Sequence, residues 1–144
     1  MAANSQFAVA VHVLALIAKY GDGNVKSENI AGSVNTNPVV IRRLLCNLQQ
    51  GGLVISQTGA SGGTRLARQP EKINLFEVYR AVLPDSEVFA LHRQKPNQNC
   101  LIGKNIQMVL EQLQNEIDEA IEEKLMRYSL ADVIKAVERS DCRQ

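Results

Sequence analysis

Two adjacent arginines, Arg42 and Arg43, stand inside a segment whose aliphatic residues repeat at helical spacing. A guanidinium is a planar fork of donors that pairs bidentately with the O6 and N7 of guanine or clamps a phosphate. Val39, one turn earlier, could touch a thymine methyl. Thr36 and Asn37 could bond a phosphate or an adenine edge. A good bidentate base contact contributes about 1–3 kcal/mol of discrimination. Downstream lies the glycine-rich run Gly59-Ala60-Ser61-Gly62-Gly63. Its backbone can approach a ligand closely because little side chain intervenes. Arg65 and Arg68 flank it and Lys72 follows, a set that suits phosphate or a narrow minor groove. Taken alone, such a hairpin could equally be a solvated turn with scattered charges.

The thiols offer a second chemistry. Cys46, Cys100 and Cys142 are far apart and form no CxxC pair, which argues against a zinc ribbon and against a secreted disulfide scaffold. Cys46 falls on the outward side of the arginine-bearing helix, about one turn beyond the arginines, where oxidation would disturb docking. Cys100 lies just before a predicted helix start, where free N–H groups favour a thiolate. Both are candidate redox-sensing residues, with an ordinary packed cysteine as the alternative at each. Cys142 sits in a tail, and His12 reads as a packed histidine. No Ser/His/Asp, metal-ligand or phosphate-loop spacing occurs, and two histidines provide no convincing acid–base pair. The expectation is no enzyme, no catalytic residue and no metal site.

The elements that must position these groups follow from periodicity and caps. A first helix is expected over about Ser5 to Tyr20, with Ser5 as cap, Phe7, Val11, Leu14 and Ala18 on one face, and Gly21-Asp22-Gly23 as stop. A short second helix runs from Ser27, as cap, to about Ser33. A polar turn, Val34 to Asn37, leads into a third helix with Asn37 as cap and Pro38 at its first position. The third helix turns Ile41, Leu44, Leu45 and Leu48 inward and ends at Gly51-Gly52. Strands at Leu53 to Gln57 and Thr64 to Ala67 enclose the glycine-rich tip. A helix over Asn74 to Val82 places Leu75, Val78, Tyr79 and Val82 inward. Residues 83–100 read as a connecting loop and candidate sensor region. A long helix, Leu101 to about Met126, carries Ile102, Ile106, Val109, Leu110, Leu113, Ile117 and Ile121 in one stripe, and a last helix spans Leu130 to Val137 with Ser129 as cap. At about 1.5 Å per residue the long helix extends for about 38 Å. One small domain cannot cover such a stripe, whereas the same helix of a second copy can. An intramolecular lid is the alternative.

Composition agrees. The chain has 144 residues, 45% hydrophobic and 4% aromatic with no Trp, enough for a core and poor for stacking single-stranded bases. Its net charge of +1 hides an asymmetry. Residues 1–82 hold eight Lys and Arg against four Asp and Glu, and residues 83–144 hold eight against eleven. The longest apolar run, Phe7 to Ala18, is too short to span a bilayer, so a cytoplasmic protein without membrane contact is expected. The organisation expected is 1–82 as a DNA-binding domain, 83–100 as connector, and 101–144 as dimerisation and C-terminal helices.

Helix, short helix, turn, helix and glycine-tipped hairpin is the order of a winged helix-turn-helix. The chain also resembles the dimeric winged-helix regulator family of IscR, NsrR and CymR, the Rrf2 family. The resemblance rests on Phe7-Ala8-Val9-Ala10-Val11-His12, the run from Ser33 to Arg43, Gly51-Gly52-Leu53-Val54, Thr58 to Arg68, Leu75 to Val82, the long helix, and Ser129 to Val133. It implies a mainly α fold with a small β-hairpin wing and a long C-terminal dimerisation helix. It implies a homodimer on a pseudo-palindromic operator in double-stranded DNA, with the third helix in the major groove and the wing, with Thr58, Ser61, Gly62 and Arg65, at the minor groove. A repressor is expected, although the sequence itself does not separate repression from activation. Cluster-bearing members carry three closely spaced cysteines where this chain has only Cys100, so the cluster-less sub-branch fits and no iron-sulfur cofactor is expected. Many relatives carry Arg where Thr58 stands, a position Arg65 could cover. A winged-helix module that binds protein rather than DNA is the competing reading, and no small-molecule effector is legible.

Overall fold

The stripe Ile41, Leu44, Leu45 and Leu48 is fully buried, and the first folded unit is organised around it. A computed structural model describes residues 5–21, 24–85 and 87–143. In chain order these form α1 (Gln6–Tyr20), α2 (Ser27–Val34), α3 (Pro38–Gln50), β1 (Val54–Gln57), β2 (Gly63–Leu66), a 3-10 turn (Pro70–Lys72), α4 (Leu75–Val82), α5 (Leu101–Met126) and α6 (Leu130–Cys142). The chain divides into two units. One comprises 1–84 with 125–144, and the other is Asp85–Lys124. No helix of the described residues is long and apolar enough to cross a membrane.

In the first unit, α1, α2, α3 and the hairpin follow one another in winged helix-turn-helix order. Helix α2 stops at Asn35, whose backbone is left-handed (φ 63°) and whose N–H donates to the Ala31 carbonyl. Asn tolerates that conformation at little strain, which is how the chain turns sharply between α2 and α3. Strands β1 and β2 are antiparallel, with Val54 opposite Leu66 and Gln57 opposite Gly63. Val25 adds a single bridge to Thr64 on the other edge of β2, an addition absent from the sequence reading. Helices α4 and α6 begin in capping boxes, Asn74 with Glu77 and Ser129 with Asp132. An Asn74–Ser129 bridge ties the two starts together.

Several sequence expectations are corrected. Ser5 precedes α1 but makes no side-chain cap bond. Ser27 is the first residue of α2 rather than its cap, a place taken by Lys26 in extended conformation. Asp22 and Gly23 of the stop signal lie outside the described residues. The buried face of α1 is Ala10, Val13, Leu14 and Ile17. Phe7, Val11 and Ala18 are half-buried and pack against the edge of that core, on a helix contacted by α2, α3, α4, α6 and β2. In α4 only Val78 and Val82 are fully buried, while Leu75 and Tyr79 are partly covered. Helix α6 runs on to Cys142 and packs on α1, with Ile134 against the core and Lys19 Nζ 2.8 Å from Glu138 Oε1.

The second unit holds most of α5 and the irregular residues before it. Asn97 shapes the entry to the helix. Its Oδ1 accepts the Asn99 N–H at 2.9 Å, and its carbonyl accepts the Cys100 N–H at 3.3 Å. Gln114 Nε2 donates to the Phe89 carbonyl at 2.8 Å, laying that part of the irregular segment along the helix.

Candidate nucleic-acid interface

With one face of α3 buried, its opposite side is set by the helical turn of about 100° per residue. Val39, Arg43, Cys46 and Gln50 project furthest from the core, and Arg42 lies on the flank toward α2. Val39 is 53% exposed, and both arginines and Cys46 are exposed. Asn37 caps the helix through its side-chain oxygen, which accepts the Val39 N–H at 2.8 Å. That oxygen is engaged, so what Asn37 can offer a ligand is its amide NH2. Thr36 is half-buried at the turn, with its own N–H donated to the Ala31 carbonyl at 3.0 Å. The two arginines differ. Arg42 donates from one terminal nitrogen to Glu28 Oε1 on α2 at 3.3 Å. Arg43 has no ion pair among the described residues. The Glu28 carboxyl is held below the ordinary carboxylate range, first by its own backbone N–H at the start of α2 and then by Arg42.

The hairpin belongs to the same unit and packs on α3 through β1. Its tip is closed by the Gly62 N–H, which donates to the Gly59 carbonyl at 3.0 Å. Gly62 is buried, and a Cβ there would strike the Gln57 carbonyl and the Thr58 backbone. Gly62 therefore shapes the turn and is not an exposed contact, contrary to the sequence expectation. Gly63 has φ 138° and would meet the Val25 carbonyl at 2.8 Å. Thr58, Ser61 and Arg65 are the exposed members of the expected set. Asn24, which the sequence reading missed, donates to Gln57 Oε1 at 2.9 Å and to the Ser61 carbonyl at 3.1 Å, bracing the wing. Nothing local to Asn24 signals this role, because both partners are more than thirty residues away. Arg68 is withdrawn from the surface chemistry. Its Nη1 lies 2.9 and 3.0 Å from the two carboxylate oxygens of Glu77 and 3.3 Å from the Lys72 carbonyl.

The stripe of α5 splits in two. Ile106, Leu110, Ile117 and Ile121 are half-buried, while Ile102 (67%), Val109 (55%) and Leu113 (44%) form an open edge. No residue of this 26-residue helix is fully buried. Cys100 is exposed immediately before it, and Cys142 is exposed at the end of α6. His12 is exposed, its Nε2 lying 3.1 Å from Ser33 Oγ, so it is not the packed core histidine expected.

Comparison with known proteins agrees with this geometry. Residues 3–136 match the Rrf2 family model, described as an iron-dependent transcriptional regulator. YwnA of Bacillus subtilis, named as a candidate HTH-type transcriptional regulator, is 44% identical over 91% of this chain and 96% of its own. A crystal structure of a candidate DNA-binding protein superposes with a TM-score of 0.73 at 39% identity, covering 90% of this chain and 99% of that one. CymR, the global cysteine regulator of B. subtilis, shares the fold, with a TM-score of 0.66 at 23% identity over 94% and 98% of the two chains.

The family description names iron. A cysteine-held cluster takes about four thiolates. The second unit holds one cysteine, and no three His, Cys, Asp or Glu side chains among the described residues are grouped to hold a metal ion. The donor set of one copy of this chain does not fit such a cluster. A leucine-backed α3 with outward arginines, a braced wing and a match over nearly the whole length converge, and the chain belongs to the Rrf2 family of transcriptional regulators.

Proposed function

We propose that two copies of this chain bind one pseudo-palindromic operator and lower transcription from it. Each α3 enters a major groove, where Arg43 and Arg42 meet guanine edges or phosphates, Val39 meets a thymine methyl, and Thr36 with the Asn37 amide fixes register. Thr58, Ser61 and Arg65 of the wing meet the neighbouring minor groove or its phosphates. The open edge of α5, extended by its half-buried neighbours, joins the two copies, so that two half-sites are read together. The role is binding and assigns no catalytic residue. One observation carries the reading. The core takes every aliphatic residue of α3 except Val39 and Val40, and the arginines are left outward on the same unit as the wing.

The test is selection of duplexes from random DNA by purified protein. Recovery of a two-fold site, with affinity falling steeply as salt rises because displaced counterions return, is the expected result. Arg42→Ala and Arg43→Ala abolish operator selectivity while the dimer persists. Wild-type selectivity in both variants refutes the assignment of α3. Failure to retain any duplex at low salt refutes DNA binding altogether and leaves protein as the partner.

A further inference from the structure

We propose that Glu28 is a specificity-determining residue, one that holds the Arg42 fork for a base edge and keeps it from the phosphates. The inference rests on the reading of α3 as the groove-reading helix. It is carried by the bond across the helix-turn-helix, from an Arg42 terminal nitrogen on α3 to Glu28 Oε1 on α2 at 3.3 Å.

Both partners are exposed, Arg42 to 57% and Glu28 to 65%. An exposed ion pair adds little to stability, so its consequence lies in geometry and in charge. Glu28 stands in the first turn of α2, where the positive end of the helix holds a carboxylate in place. Arg42 sits on the α2-facing flank of α3, one residue before Arg43, which has no ion pair among the described residues. Two neighbouring guanidinium groups are therefore unequal, one leashed and one free.

The chemistry of the leash discriminates between ligands. A guanidinium has five N–H donors, and one bond to Glu28 leaves the others available. A base edge is neutral, whereas a phosphate carries a full negative charge. The Arg42–Glu28 pair carries no net charge, and its carboxylate repels an approaching phosphate. Unleashed on the flank of α3, Arg42 could swing on its long stem to a phosphate, a contact that carries no sequence information. Glu28 thus assigns base reading to Arg42, whereas Arg43, which projects straight outward from α3, reaches a base edge or a phosphate without that constraint.

The test uses the full-length protein and two duplexes, one selected from a random pool by the wild type and one with that sequence scrambled. Glu28→Gln keeps the size and removes the charge. The variant is expected to bind the scrambled duplex more tightly at low salt and to lose about tenfold in the ratio of selected to scrambled affinity. Its slope of log affinity against log salt steepens by about one for each subunit on the DNA, because one more cation now meets a phosphate. In an Arg42→Ala background, Glu28→Gln is expected to leave the ratio unchanged and to move the slope by much less than one per subunit, since no cation is released. A Glu28→Gln protein with wild-type ratio and slope, alongside an Arg42→Ala protein that has lost selectivity, overturns the inference and leaves the reading of α3 standing. An equal weakening on both duplexes with unchanged slope also overturns it, since that is the signature of a residue that only supports α2. Full selectivity in both Arg42→Ala and Arg43→Ala overturns the reading of α3 itself.

Discussion

Leu113→Glu tests the association of two copies through α5. Leu113 is 44% exposed in one copy and lies on the open edge with Ile102 and Val109. Burying a whole leucine side chain contributes roughly 1.5–3 kcal/mol. Covering the fraction still exposed therefore contributes roughly 1 kcal/mol, and roughly twice that in a two-fold pair, where every substitution occurs twice. Truncation to alanine would raise the dissociation constant by roughly thirtyfold on that estimate. Glutamate goes further, because a carboxylate must then be buried unpaired or stay at the rim. Glu116, one turn along the same helix, adds like-charge repulsion. A weakening of about a hundredfold or more is expected. Sedimentation equilibrium over a dilution series in the micromolar range reads it directly. Asn115→Glu, on the opposite and exposed face of α5, adds the same charge and should leave association unchanged. The Leu113→Glu protein should also lose the operator, because each half-site is then bound alone. The reasoning fails if Leu113→Glu associates like the wild type, or if the wild type is monomeric throughout that range.

Gly103 stands in the first turn of α5, where alanine would ordinarily raise helix stability by about 1 kcal/mol. A Cβ there would strike the Asn97 carbonyl, so Gly103→Ala should lower Tm, and a raised Tm would show that the 96–100 turn is not seated as described. Asp132 accepts the Ser129 N–H at 2.9 Å, and that bond, ahead of other causes, holds its carboxyl below the ordinary 3.8. A lowered folded value means stabilisation present above 3.8 and lost as pH falls through the lowered value. Tm of Asp132→Asn measured from neutral to acid pH should fall less than that of the wild type, and an equal fall would refute a charged cap. Cys46 is exposed on the outward side of α3. Its alkylation should block duplex binding, prior DNA binding should protect it, and Cys46→Ser should be indifferent to the reagent, all read by anisotropy and mass spectrometry.

Much of the architecture was legible because its causes are local. The spacing of Ile41, Leu44, Leu45 and Leu48 specifies a helix and its buried face at once. Asn37-Pro38, Asn74 and Ser129 mark helix starts because an oxygen must meet N–H groups that the helix leaves open. The glycine-rich tip between two short strands announces a hairpin. The face of α1 was less legible. A helix apolar on several sides carries no single preferred orientation, and the choice of Ala10, Val13, Leu14 and Ile17 depends on where the five elements that contact α1 lie.

The same division separates the candidate site. Which residues reach outward from α3 follows from one helix and its periodicity, so sequence alone determines that Val39, Arg42 and Arg43 share a surface. Which of them is free is decided only in three dimensions. Glu28 reaches Arg42, and Glu77 takes Arg68 out of the candidate contacts, through side chains that meet only after α2 has packed on α3 and after α4 has come beside the segment that follows β2. Gly62 is likewise buried by the path of the turn, not by its own chemistry. Short-range rules of spacing and capping are written in the chain. Pairings between elements depend on the angle and distance at which those elements pack, and that is settled by the whole core.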